Sequence, residues 1–213
     1  MKEKSEQMYL GDIISTDGKH FKNIQHRKNK ALGIINQIMQ ILESTYFGKH
    51  YFEVALVLRS SLFISSLLLN SEAWTNLTDK DIRGLEQSDS EILLSKILDF
   101  EANSSNTFKY LELGIAPLRF EIIKRKILFL QYIVKQDKSS MVYQLFQSTC
   151  ENPIKNDFVK NCEKYLNSLD LKLSFKDISE MSKFRFTKLV KEKIYVAAYI
   201  YLIAEENKQT LHT

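Results

Sequence analysis

The sequence predicts an all-α protein, a multi-helix bundle entered through one short β-strand. Two prolines and six glycines among 213 residues leave few breakers, so long uninterrupted helices account for the chain more simply than a sheet, which needs more turns. A hydrophobic fraction of 44% is enough to build a core, and 13 Phe with 10 Tyr are too many for a disordered chain. Apolar residues also recur at helical spacing along most of the length.

Tyr9 to Ser15 reads as the strand, with Tyr9, Ile13 and Ile14 as its β-prone residues and Asp17-Gly18 as the turn that closes it. Nothing immediately upstream reads as a partner, so this strand is expected to stand without its pair and the chain to begin inside something larger. From Lys19 to about Leu42 a helix follows, because Ile24, Ala31, Ile35, Ile38 and Leu42 fall on one face. On the other side Lys19, Lys22, His26 and Lys30 stack at steps of three and four, flanked by Arg27 and Lys28. No acidic residue occurs between Asp17 and Glu43.

Gly48 separates that helix from the most apolar one, about Tyr51 to Leu69. Its run from Val54 is shorter than the roughly 20 residues a membrane span needs, and Arg59 and four serines interrupt it, so a buried helix is expected and no membrane partner. Arg59 then needs an acidic partner such as Glu72, since a buried unpaired charge costs several kcal/mol. Thr78 and Asp81 form a capping box for a helix reaching about Asp99, and a polar loop covers Asn103 to Thr107. Gly114 and Pro117 mark the next break, before a helix carrying Ile122, Ile123, Ile127, Leu130 and Val134, with Arg119, Lys124, Arg125 and Lys126 in its first half. After Gln147 the pattern weakens; Pro153 opens a helix to about Leu169, and a last one runs from about Ser179 to Glu206 with Lys183, Arg185, Lys188, Lys191 and Lys193 in its first half.

Catalytic chemistry finds no foothold. Cys150 and Cys162 are the two cysteines, and the four histidines form no metal or nucleophile constellation with them or with a serine. No Gly-rich phosphate loop is present, so neither a cofactor nor a metal is expected, and the chain should not be an enzyme on its own. Met1 to Gln7 is polar, unlike a signal peptide, which together with the cysteine usage suggests an intracellular setting, nuclear or cytoplasmic. A net charge of +4 is too small to name a partner, so local clusters must do so.

Three segments occur in a telling order: YLGDIISTDG from Tyr9 to Gly18, LRSSL followed by LLLNSEAW ending at Trp74, and YLELGIAPLR from Tyr110 to Arg119. Together they resemble the C-terminal half of non-LTR (LINE-like) retrotransposon reverse transcriptases. The resemblance implies a remnant primer-grip strand of the palm over 1–18, a thumb-like helical bundle over 19–100 and a helical connector over 101–213. It further implies that Tyr9, Leu10 and Gly11 form the primer grip, and that Lys19, Lys22, His26, Arg27, Lys28 and Lys30 lie along template-primer, an RNA or an RNA/DNA hybrid. Polymerase chemistry in that family needs palm carboxylates that hold two divalent ions, one of them in an Asp-Asp pair. The chain contains no such pair. The missing palm, or another protein, then becomes a further partner.

Each of these features has a plainer reading. The basic ridge can be a solvated helix face, Gly11 a strand bulge, and Trp74 a core anchor rather than a ring stacked on a base. Arg119, Lys124, Arg125 and Lys126 either continue the nucleic-acid track or cover the outside of their helix. The alternatives for the whole chain are a helical protein-interaction scaffold and a retroelement relic without function.

Overall fold

A computed structural model describes residues 6–9, 12–15, 20–75, 77–101, 104–152 and 158–210. The protein is all-α apart from its N-terminal strands. The strand expected over Tyr9 to Ser15 is split: Asp12–Ser15 forms β2, while Tyr9 ends β1 (Glu6–Tyr9), which lies antiparallel to β2 with Met8 opposite Ile13 and Tyr9 opposite Asp12, so β2 is not unpaired. The sequence Glu-Gln-Met-Tyr has little β-propensity of its own, and pairing with β2 makes it a strand.

The chain divides into two compact units, Met1–Asn70 with Leu77–Leu118, and Ser71–Asn76 with Arg119–Thr213. The stretch Leu77–Leu118 clusters with the first unit. In that unit α1 (Phe21–Ser44) is the spine, and Ile24, Ala31, Ile35, Ile38 and Leu42 are all buried along it. Against it pack β2, α2 (Tyr51–Leu58), α3 (Ser65–Leu67) and α4 (Asp79–Gln87). Thr78 and Asp81 make both hydrogen bonds of the capping box at the start of α4. The short helices α5 (Ser95–Leu98) and α6 (Asn106–Glu112) complete the unit, the latter capped by the Ser105 hydroxyl.

Besides the 3-10 turns at Gly48–His50 and Ser71–Ala73, two described stretches widen beyond α-geometry. Arg59–Ile64, between α2 and α3, and Ser88–Leu94, between α4 and α5, are π-helical. Each π turn frees backbone carbonyls that a hydroxyl five residues on then occupies: Ser65 Oγ donates to the Ser60 carbonyl and Ser95 Oγ to the Ser90 carbonyl, both at 3.1 Å. The widened turns carry Arg59 and Asp89, which meet in the core. Arg59 Nε and Nη2 donate to the two carboxylate oxygens of Asp89 at 2.7 and 2.5 Å, and the Tyr110 hydroxyl donates to the same carboxylate at 3.0 Å. The acid beside Arg59 is thus Asp89, thirty residues away, and not Glu72.

The second unit contains α7 (Leu118–Val134, of which all but Leu118 belongs here), α8 (Met141–Glu151), α9 (Phe158–Ser168), α10 (Phe175–Glu180) and α11 (Lys183–Thr210). A break between α7 and α8 had no glycine or proline to announce it. Asp137 makes it, accepting from the Ser139 backbone N–H at 2.8 Å and from its hydroxyl at 2.6 Å, after which Ser140 caps α8. In the same way Ser182 caps α11 through the Arg185 N–H, so the single last helix expected from Ser179 is two. Phe186, Val190, Ile194, Ala198 and Leu202, at steps of four, form the buried line of α11. No helix among the described residues is long and apolar enough to cross a membrane.

Candidate nucleic-acid interface

The outward side of α1 carries Lys22 and Lys30 exposed and His26 half-buried, on one line at successive steps of four. That line continues through Gly33, Asn36, Gln37 and Gln40, all exposed, so amides rather than carboxylates follow the cations. The start of α1 adds to its positive character: His20 offers no side-chain cap and the first turn holds no acid, so the positive end of the helix dipole lies beside Lys22. Lys28 turns toward α4, its ammonium 3.5 Å from where a Cβ on Gly84 would stand. Lys19, Leu10 and Gly11 lie outside the described residues, and of Tyr9 the strand backbone is described.

Gly33 sits mid-helix on this outward line with no atom within 4 Å of a Cβ built there. Substitution Gly33→Ala should therefore raise the thermal midpoint, with a gain of about 1 kcal/mol from helix propensity. A lowered midpoint in a circular-dichroism melt would show that something occupies that space.

Arg27 does not belong to the ridge. It is 1% exposed and bound to Asp12 in β2, with Nη2 at 2.6 Å and Nε at 3.2 Å from Oδ1. The Asn70 amide donates to the other Asp12 oxygen, and Asn23 Oδ1 accepts from the Ile13 N–H at 3.2 Å. Partial burial pushes the Asp12 carboxyl up, but the hydrogen bonds from Asn70, Arg27 and Asn23 outweigh it and hold the group below its ordinary value. Asp12 therefore ties the hairpin to α1 through Arg27 and to the left-handed turn at Asn70, φ 58°. A sign of this was present in the sequence. The step of seven between Ile24 and Ala31 leaves one place on the apolar stripe, and Arg27 fills it.

On α7 the cations are engaged within the second unit. The Arg119 guanidinium lies over the Tyr201 ring, 4.6 Å from its centroid, and Lys124 pairs with Glu121 at 2.6 Å. Arg125 is half-buried. Lys126, expected on the outside, is 1% exposed: its ammonium donates to the Trp74 carbonyl, while the Cys162 thiol donates to the Lys126 carbonyl at 3.9 Å. Trp74 itself is 2% exposed, a core residue. Burial disfavours the Lys126 ammonium and lowers its pKa from 10.5 to about 8, against smaller opposing effects of Cys162 and Glu72. Its position four residues from both Ile122 and Leu130 was the available signal.

Among the described residues no three His, Cys, Asp or Glu side chains are grouped to hold a metal. Comparison with protein-family models, curated proteins and solved structures finds no match for this chain.

Proposed function

We propose that this chain is a non-catalytic nucleic-acid-holding module, related to the thumb and connector of non-LTR retrotransposon reverse transcriptases, that lies along an RNA/DNA template-primer through α1. The observation that supports this most is the outward line of Lys22, His26 and Lys30, in a stretch free of carboxylates from Gly18 to Leu42. Cations on one helix edge meet successive phosphates whatever the base sequence, so such a face positions a duplex and does not read it. Arg27, Arg119 and Lys126 are left out of the contact set because each is engaged inside the fold.

Titration of a labelled RNA/DNA hybrid with the full chain tests the reading. Affinity should fall steeply between about 50 and 200 mM salt, and Lys22→Glu with Lys30→Glu should weaken binding at least about tenfold and flatten the logarithmic salt dependence by roughly two. Salt-insensitive binding, or a double variant that binds as well as the parent, rules it out. A helical protein-interaction scaffold is the second reading, supported by α8, which buries none of its residues and leaves Met141 and Leu145 exposed. That reading leaves the hybrid unbound at every salt concentration.

A further inference from the structure

We propose that the outward strip of α11 is a separate binding site for single-stranded nucleic acid, in which exposed rings stack on bases and lysines between them meet phosphates. Phe184, Lys188, Lys191, Tyr195 and Tyr199 follow one another at steps of four, three, four and four, which places all five on one line of the helix. At 1.5 Å per residue the line is about 22 Å long, room for several nucleotides. The three rings are 81%, 63% and 53% exposed, although large aromatic side chains in a helix that already has a full buried line are not needed for folding. The Lys188 side chain is 68% exposed and Lys191 is exposed.

Charge selects the occupant. Lys183 and Arg185 add exposed cations at the start of the helix, and Glu192, beside the strip, lies 4.0 Å from Lys188. A membrane-surface helix keeps its cations on the polar side and its apolar residues together. Here the lysines stand in line between the rings, as a polyanion with stacking bases requires. The site lies in the second unit and does not depend on the reading of α1.

Anisotropy of a short labelled oligouridylate with the full chain decides the matter. Tyr195→Ala with Tyr199→Ala should weaken binding roughly tenfold per ring, whereas Tyr195→Phe with Tyr199→Phe, which keep the rings, should bind like the parent. Lys188→Gln with Lys191→Gln should weaken binding and flatten its salt dependence. Unchanged affinity in the alanine pair overturns the site, and so does a phenylalanine pair as weak as the alanine pair. Vesicles containing phosphatidylserine form the other arm: if the alanine pair stops the chain from pelleting with them but leaves oligouridylate binding intact, the strip serves a lipid surface instead. Lys22→Glu with Lys30→Glu should leave the oligouridylate signal in place, so the two sites fail separately.

Discussion

Asp89→Ala is expected to destabilise the protein by about 3–5 kcal/mol, seen as a fall in the urea midpoint. The carboxylate is 0% exposed, accepts twice from Arg59 and once from Tyr110, and joins the two π turns of the first unit. Its removal takes the bidentate carboxylate from a guanidinium in a place where Arg59 is 6% exposed. Against a typical stability of about 5–15 kcal/mol the loss would be large. Two controls separate this from general damage to the core. Glu72→Ala, which removes the acid closer in sequence, should cost much less, and Arg59→Met combined with Asp89→Leu should recover much of the loss, because a matched apolar pair needs no partner. Equal effects of Asp89→Ala and Glu72→Ala would refute the assignment of the pair.

Lys126 should make the protein more stable as the pH rises from about 8 toward 9.5, by about 2 kcal/mol in all. In the fold its ammonium gives up a proton at about 8, whereas in the unfolded chain it does so near its ordinary value of 10.5. Between these values the unfolded state binds more protons, and the free energy of unfolding therefore increases with pH. Above about 10 the sign changes, since burial raises the phenols of Tyr110 and Tyr165 and favours their protonated forms in the fold. Urea midpoints at successive pH values measure the slope. Lys126→Met should remove most of it, leaving the smaller contribution of Lys109, whose ammonium burial also disfavours; an unchanged slope in this variant would refute the assignment to Lys126.

The apolar residues on the inward face of α1 were legible. They repeat at helical spacing, and a repeat depends on neighbours within a few turns. The Thr78-Asp81 cap was legible for the same reason, since both partners lie within one turn. The outward cations Lys22, His26 and Lys30 followed from the stripe as its complement. Arg27 and Lys126 were misplaced because charge was taken as a mark of the surface, while their positions on the apolar stripes said otherwise. The exposed rings of α11 have no such signal, since the face a ring takes depends on what packs against the helix.

The helical class, the apolar stripes, the Thr78-Asp81 cap and the carboxylate-free edge of α1 follow from residues a few positions apart, and the sequence suffices for them. Tertiary structure decided what lies opposite what: Glu6–Tyr9 as the partner of β2, Asp12 for Arg27, Asp89 for Arg59, and the Trp74 carbonyl for Lys126. These partners are close together in the hairpin and 15, 30 and 52 residues apart in the other three cases. No local propensity encodes such meetings. They arise when a charge or an open strand edge is taken out of water and must find its complement wherever the packed chain supplies it.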